Sequence, residues 1–286
     1  MSDAMPPSAD RHPDRNAPPL PAADLILDLE DPTLPAARSR PGLDQPLDPL
    51  GLAALLETTS ARLGVGRAGP RPRTRAAQLF QSDLAVTRDA LDREVPAALL
   101  EELGLFSVRT RIEGGKEQYL LRPDLGRQLD PASRREVAER CVAGPDLQIC
   151  VGDGLSAQAV EVNLRQILPV LQTGSATLGL SLGTPFFIRH CRVGVMNDIG
   201  DLLRPGVLIL LIGERPGLGR ADALSAYMAY GPRAGQTDAD REVLCNIFPG
   251  GGVNPLEAGA YALRQARQML DARASGVRRK LEAGQP

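Results

Sequence analysis

The stretch that decides the fold is residues 207–219, VLILLIGERPGLG, in which six apolar residues lead directly into a glycine, a glutamate and an arginine. A proline–glycine pair precedes the apolar run and Gly213 follows it. A run of this length between turn residues is typical of a strand buried on both faces of a sheet. Such strands lie inside parallel α/β sheets, which bind ligands at the carboxyl ends of their strands. The pattern therefore places Glu214 and Arg215 at a candidate site.

The segments on either side of this run alternate between strand and helix patterns. We predict strands at 147–151 (LQICV) and 186–195 (FFIRHCRVGV), and helices from the turn GDGLSA to about residue 171 and over 197–203. Alternating elements of this size indicate an α/β fold with a Rossmann-like parallel sheet.

A helix with clear end signals closes the chain. Asn254 is placed to cap it, Pro255 fits its first turn, and Gly276 stands just past its predicted end. We expect its apolar stripe to pack on the sheet; the stripe consists of Leu256, Ala260, Leu263 and Leu270.

Composition divides the chain into three predicted parts. Residues 1–44 form a proline-rich tail, since residues 1–50 hold 11 of the 25 prolines and no aromatic residue. Such a stretch is expected to be disordered; its one apolar cluster, LILDL (25–29), is a candidate anchor on the folded body or on a partner. Residues 45–125 are predicted to be a smaller, mainly helical domain, and 126–286 a Rossmann-like domain.

Several classes of function are disfavoured by composition. The formal net charge is -2 and there is no tryptophan, so neither a basic surface nor base-stacking residues indicate nucleic-acid binding. No apolar run is long enough to span a membrane, and no secretory signal opens the sequence. The four cysteines, at 141, 150, 191 and 245, have no metal-type spacing, which is typical of reduced thiols in a cytosolic protein.

Common catalytic motifs are also missing. The only histidines are His12 and His190, so no Ser-His-Asp or Cys-His unit can be assembled with confidence, and no P-loop or H-E-x-x-H motif occurs. Residues 64–74 (GVGRAGPRPRT) contain a formal G-x-G-x-x-G, but a predicted helix rather than a strand precedes it, so it fails as a dinucleotide fingerprint.

Three groups of polar residues are candidate sites. In the turn VGDGLSA (151–157), Asp153 and Ser156 are most simply helix-capping residues, and a ligand contact through the helix N-terminal amides is the alternative. Glu214 either pairs with an arginine to fix its loop or accepts hydrogen bonds from a ligand. The third group is an arginine cluster between prolines, which is either a solvated turn or a binding site for an anion or acidic partner; it comprises Arg67, Arg71, Arg73 and Arg75.

Six motifs occur in an order that resembles a known family. They are GRAGPRPRT (66–74), RPDLGRQL (122–129), VGDGLSA (151–157), GTPFF (183–187), LIGERPGLG (211–219) and YGPR with TDADR (230–241). Together they resemble the small (light) subunit of ethanolamine ammonia-lyase, from about residue 50 almost to the C-terminus.

The resemblance implies a subunit of an adenosylcobalamin-dependent enzyme that converts ethanolamine to acetaldehyde and ammonia. In that family a large subunit carries the substrate residues, the small subunit covers the cobalamin at the interface, and six such pairs assemble. No catalytic residue and no metal ligand is then expected on this chain, since the cofactor and the other chain supply the chemistry. The cytosol is the expected location; some members of the family are packaged in bacterial microcompartments, which the sequence leaves open.

The cofactor contacts of the family correspond to three positions within residues 126–286, so the resemblance implies that this Rossmann-like part is the cobalamin-contacting domain. A valine matches Val193, the glutamate of GERPGLG matches Glu214, and a cysteine contact falls on Val243. The nearby cysteine here, Cys245, lies two positions later, which puts a side-chain contact at 243 in doubt.

Two other functions stay open at this point. The chain could be a stand-alone Rossmann-like enzyme that binds a nucleotide, or a purely structural partner that contacts no ligand. Tight nucleotide binding by the isolated chain favours the first, and normal cobalamin binding after replacement of both Val193 and Glu214 favours the second.

Overall fold

A six-stranded mixed sheet forms the centre of the molecule. The computed structural model describes residues 40–59 and 61–282, so most of the predicted tail, including LILDL, lies outside the described residues. The strands of the sheet lie in the order β3-β5-β4-β6-β7-β8. Their bounds are β3 Phe106–Arg109, β4 Leu147–Gly152, β5 Phe186–Arg189, β6 Val207–Gly213, β7 Leu224–Tyr230 and β8 Glu242–Ile247.

Most of this sheet is parallel. The pairs β3–β5, β5–β4 and β4–β6 are parallel, whereas β6–β7 and β7–β8 are antiparallel. Every residue of β4 and β6 is buried, as expected for central strands with helices on both faces. The predicted α/β class and the central position of residues 207–213 are confirmed.

Nine helices accompany the sheet within the described residues. Their bounds are α1 Pro49–Thr58, α2 Thr74–Asp92, α3 Ala97–Glu102, α4 Gly115–Leu121, α5 Pro131–Arg140, α6 Ala157–Thr177, α7 Val195–Leu203, α8 Pro255–Ala272 and α9 Gly276–Glu282. Helices α6 and α8 pack together in the larger apolar core on one face of the sheet. Helices α5 and α7 contribute to the smaller core on the other face. Of these nine, none is long and apolar enough to cross a bilayer.

The predicted strand at 186–195 is too long. It ends at Arg189, because His190 adopts a left-handed backbone conformation with φ of 53° that breaks the extended chain. Residues from Val195 onward already belong to α7. An apolar run alone does not reveal a turn of this kind, since the residue that makes it is not a glycine.

The end and the buried face of α8 also differ from the prediction. Asn254 does cap the helix, through a 2.9 Å hydrogen bond from the backbone N–H of Leu256. The helix ends at Ala272, however, with Arg273 in the left-handed conformation, and Gly276 begins α9 instead. Leu256 is half exposed; the buried face consists of Pro255, Ala258, Gly259, Ala262, Leu263, Ala266 and Met269.

The N-terminal part contributes to the same sheet. Helices α1 and α2 lie in the part predicted to be mainly helical, and a short hairpin, β1 Arg67–Ala68 and β2 Arg71–Pro72, lies between them. Strand β3 pairs with β5, so residues from the predicted helical domain extend the central sheet. The division at residues 44 and 125 stays a prediction.

Candidate ligand cleft at the carboxyl edge of the sheet

A cleft of about 300 Å³ opens where β4 and β6 end. The chain leaves β4 through α6 toward β5, and it leaves β6 in the opposite direction toward β7. A crevice between two such strands is where open α/β sheets bind ligands. The lining residues are Tyr119, Gly154, Leu155, Arg192, Val193, Ile212, Gly213, Glu214, Arg215, Ser225, Tyr227 and Cys245.

The floor of the cleft depends on close backbone approach. The N–H of Leu155 donates to the carbonyl of Gly213 at 3.1 Å, which joins the turn after β4 to the end of β6. A Cβ on Gly154 would overlap the carbonyl oxygen of Gly213, and Gly154 has a φ of 56°. Only glycine satisfies both conditions without strain, so the two loops can meet here.

Glu214 is held by the two strands beside it. Its Oε1 accepts hydrogen bonds from Oγ of Ser225 at 2.5 Å and from the backbone N–H of Asn246 at 2.8 Å. The side chain is half-buried and lines the cleft. Within the described residues Oε2 has no hydrogen-bond partner and Glu214 has no ion pair with an arginine. Of the two alternatives for Glu214, the pair with Arg215 or another arginine is therefore absent from this part of the chain, and one carboxylate oxygen is without a partner there.

The loop that follows Glu214 is tied to the helices beneath it. Oγ of Ser156 donates to the carbonyl of Ala221, and Nδ2 of Asn163 donates to the carbonyl of Asp222 at 2.8 Å. The hydroxyl of Thr87 donates to the carbonyl of Gly217 at 2.8 Å. Because three hydrogen bonds from α2 and α6 hold this loop, it is fixed in place without a ligand.

Asp153 and Ser156 have different roles. Ser156 caps α6 by accepting from the N–H of Ala159 at 3.3 Å. Asp153 instead accepts from the backbone N–H groups of His190 and Cys191, at 2.8 and 2.9 Å. Burial raises the pKa of the Asp153 carboxyl, and these two amides oppose that effect. Asp153 therefore fixes the left-handed turn at the end of β5, a role that the sequence alone did not predict.

The three predicted cofactor contacts are not equivalent in position. Val193 and Glu214 line the same cleft. Val243 is 47% exposed and lines a separate depression beside α8, whereas Cys245 is exposed and lines the cleft. The contact at Val243 stays a prediction.

Three polar residues of the cleft region were not anticipated. The Arg192 guanidinium stacks on the Tyr119 ring at 4.0 Å and donates to the carbonyl oxygen of the same tyrosine at 2.8 Å. The Tyr119 hydroxyl donates to the carbonyl of Cys191 at 2.8 Å. Burial lowers the pKa of Lys116, and the negative charge of Asp153 opposes that shift. Nothing in the local sequence of α4 indicates that it contacts the turns after β4 and β5, since these contacts are tertiary.

The arginine cluster lies away from the cleft. Arg67 donates to the carbonyl of Pro70 at 3.1 Å across the β1–β2 hairpin, and Arg73 pairs with Asp44 at 2.5 Å. Arg73 and Arg75 line another cavity, of about 350 Å³, together with Arg62. Local pairing accounts for Arg67 and Arg73, and binding of an anion at this cavity stays a prediction.

The fold and the cleft together define a mixed α/β protein with a preorganised candidate ligand cleft at the carboxyl ends of its parallel strands. Residues 50–280 match the family model of the ethanolamine ammonia-lyase light chain (EutC). Because this match covers most of the sequence, the chain belongs to the ethanolamine ammonia-lyase light-chain family, and the resemblance found in the motifs is confirmed. A light chain of this lyase implies a large subunit as its partner.

Proposed function

We propose that this chain covers one side of adenosylcobalamin at the interface with the large subunit of ethanolamine ammonia-lyase, using the carboxyl edge of a Rossmann-like sheet. The conversion is that of ethanolamine to acetaldehyde and ammonia. The observation that carries the proposal is the free acceptor oxygen of Glu214 in a half-buried cleft at this edge.

The chemistry of the cleft fits a corrinoid. The rim of a corrin bears many amide side chains, whose N–H groups need acceptors when they are buried. Oε1 of Glu214 accepts from Ser225 and Asn246, which leaves Oε2, without a partner in the described part of the chain, as the acceptor for such a group. Val193 and Tyr227 supply apolar and aromatic surface beside it.

The size of the cleft supports a shared site. Clefts that enclose a drug-sized ligand measure about 300–1,000 Å³ and bury most of its surface. At about 300 Å³ this cleft can cover only one edge of a macrocycle as large as cobalamin. The remaining surface then has to come from the large subunit, and we infer six such pairs in the assembly by the family pattern.

The residues of this chain bind and shield rather than react. When bound, adenosylcobalamin supplies the radical chemistry, and the large subunit holds the substrate. Val193 and Glu214 contact the corrin, with Val243 as a further contact on β8. The anchored loop after Glu214 excludes water from that face, which protects reactive species from side reactions.

The proposal is tested by co-expression with a candidate large subunit from the same source. We expect ethanolamine-dependent release of acetaldehyde only when both chains and adenosylcobalamin are present, and little cobalamin binding by either chain alone. Activity of the isolated light chain, or full activity of the large subunit without it, contradicts the proposal. Fractionation of the producing cells distinguishes free cytosolic enzyme, our expectation, from packaging in a microcompartment.

A further inference from the structure

A second, larger cavity of about 720 Å³ adjoins the cleft. Arg192 and Val193 line both, so the two form one continuous surface. The second cavity also contains Arg127 from the motif RPDLGRQL, to which the proposed function assigns no role.

Each arginine packs closely on a glycine of the loop that carries the other: Arg127 on Gly194, and Arg192 on Gly126. A Cβ on Gly194 would lie 2.8 Å from Cγ of Arg127, and a Cβ on Gly126 would lie 2.6 Å from Cγ of Arg192. The backbone N–H of Arg192 donates to the carbonyl of Gly126 at 2.9 Å. The stems of both arginines are therefore fixed at the wall of the cavity.

The acidic residues around this cavity are already engaged. Asp124 pairs with Arg122 at 2.7 Å, Asp198 pairs with Arg134, and Asp238 pairs with Arg241. Asp201 accepts from the backbone N–H of Ala234 at 3.2 Å.

Arg127 and Arg192 have no such partner. In the described part of the chain neither guanidinium forms an ion pair with a carboxylate; the guanidinium of Arg192 donates to the carbonyl of Tyr119 and stacks on the ring of that residue. The two arginines thus line a cavity in which three of the four aspartates are paired with other arginines, and the fourth, Asp201, accepts only a backbone N–H. The first amides of α7 are bonded to the carbonyls of residues 192–194, so an anion here must be held by side chains.

We infer that Arg127 and Arg192 bind the phosphate diester of the nucleotide tail of the cofactor. This inference rests on the proposed function, because it places the corrin at Glu214 and the anionic tail next to it, past Arg192. A planar guanidinium matches two oxygens of a phosphate, and the stacking on Tyr119 leaves Arg192 little freedom to lose on binding.

The test measures ligand binding to the complex of both subunits by calorimetry or by competition. The probes are adenosylcobalamin, cobinamide, which lacks the phosphate-bearing tail, and inorganic phosphate. The main variant is Arg127→Gln, since Arg127 is exposed and its loss is not expected to disturb folding. Arg135→Gln is the matched control, an exposed arginine that does not line the cavity.

We expect Arg127→Gln to weaken adenosylcobalamin binding about tenfold, the loss typical of one charge-assisted hydrogen bond. Cobinamide affinity stays unchanged in the variant, and Arg127→Lys recovers part of the loss. Inorganic phosphate competes with adenosylcobalamin in the wild-type complex and competes less in Arg127→Gln. Arg135→Gln behaves as wild type with each probe.

Unchanged adenosylcobalamin affinity in Arg127→Gln overturns the inference, and so does an equal loss for cobinamide. If Arg127→Gln weakens subunit assembly but leaves cofactor affinity normal, Arg127 contacts the large subunit rather than the cofactor, and this result also overturns the inference. A wild-type complex that binds no corrinoid is a different result, since it refutes the proposed function itself. Phosphate binding that does not affect the corrinoid indicates a separate anion site and contradicts the inference.

Discussion

Glu214 and Asn246 are joined by a hydrogen bond of 2.8 Å, in which the backbone N–H of Asn246 donates to Oε1 of the carboxylate. Asn246 adopts a left-handed conformation with φ of 57°, which asparagine tolerates better than most residues. The bond therefore connects the end of β6 to an irregular position in β8. Within the described residues, the second carboxylate oxygen, Oε2, accepts no hydrogen bond.

Replacement of Glu214 by glutamine separates its hydrogen bonds within the protein from its proposed contact with the cofactor. A glutamine carbonyl can still accept from Ser225 and Asn246, but an NH₂ group replaces the free acceptor. We expect adenosylcobalamin affinity of the complex to fall by about tenfold while the unfolding midpoint of the chain changes little. Glu214→Ala should reduce both the adenosylcobalamin affinity and the unfolding midpoint.

Calorimetry for binding and urea denaturation for stability check this prediction. An unchanged affinity in both variants would remove Glu214 from the site. A large loss of stability in Glu214→Gln would show that the negative charge itself holds the loop.

A substitution at Gly154 tests the close approach of the turn after β4 to the end of β6, under the cleft. Gly154→Ala adds a left-handed strain and an overlap with the carbonyl of Gly213, so we expect a loss of at least about 3 kcal/mol in unfolding free energy. Gly179→Ala is the matched control, because Gly179 has a φ of 67° but open space around its Cβ position. That variant should lose only about 1 kcal/mol. Similar losses in the two variants would mean that strain alone, rather than contact with β6, restricts Gly154.

The sequence predicted the elements that a continuous apolar pattern specifies. Strands β4 and β6 and the first part of α6 are long and apolar, and they were found where expected. Strand β8 was not predicted, because its residues are mostly exposed and mixed in character. Edge strands owe their conformation to pairing with a neighbour, which a local pattern does not record.

The candidate site could likewise be predicted only where a local sequence pattern marks it. Glu214 could be located because it follows directly on a buried strand of an α/β sheet. Arg192 and Tyr119 meet only through tertiary packing, across 73 positions, and neither carries a local signal. The place of Cys245 in the cleft and of Val243 outside it likewise depends on the irregular pairing of β7 with β8.

Cys245 provides a probe of whether the cleft is covered in the assembled enzyme. The other three cysteines are buried; burial raises the pKa of Cys141 to about 11 and raises the pKa values of Cys150 and Cys191 well above the ordinary value of a thiol. We expect one rapidly alkylated thiol in the free chain, since the thiolate is the reactive form. Cys245→Ser should abolish this rapid phase, as followed by mass spectrometry.

Assembly with the large subunit and adenosylcobalamin should slow alkylation of Cys245 by at least about tenfold, because a covered thiol is inaccessible to the reagent. Cobalamin without the large subunit should give little protection. Alkylation at the same rate in the free chain and the complex would place the cleft on an exposed surface and contradict the proposed function.

The hydrogen bonds of the Asp130 carboxylate predict that the protein loses stability in acid. Its Oδ1 caps α5 by accepting from the N–H groups of Ala132 and Ser133, both at 2.8 Å, and its Oδ2 accepts from Nε of Arg109 at 2.7 Å. Burial by itself raises the pKa of this carboxyl, but the hydrogen bonds from Ser133, Arg109 and Ala132 outweigh it, and the pKa lies below its ordinary value. A carboxyl with a lowered folded-state pKa stabilises the protein above its unfolded pKa, and that contribution is lost as the pH falls through the folded value.

Asp130→Asn keeps a capping oxygen but loses the charge. We expect it to cost about 1–2 kcal/mol near neutral pH. The difference from wild type should shrink as the pH falls through the lowered folded-state pKa of Asp130, because the wild-type carboxyl then also becomes neutral. Asp271→Asn, at an exposed pair with Arg267, is the control and should differ little from wild type at any pH. Urea denaturation across the acid range measures these differences. A constant gap between Asp130→Asn and wild type would show that packing, rather than the ionised carboxylate, provides the stabilisation.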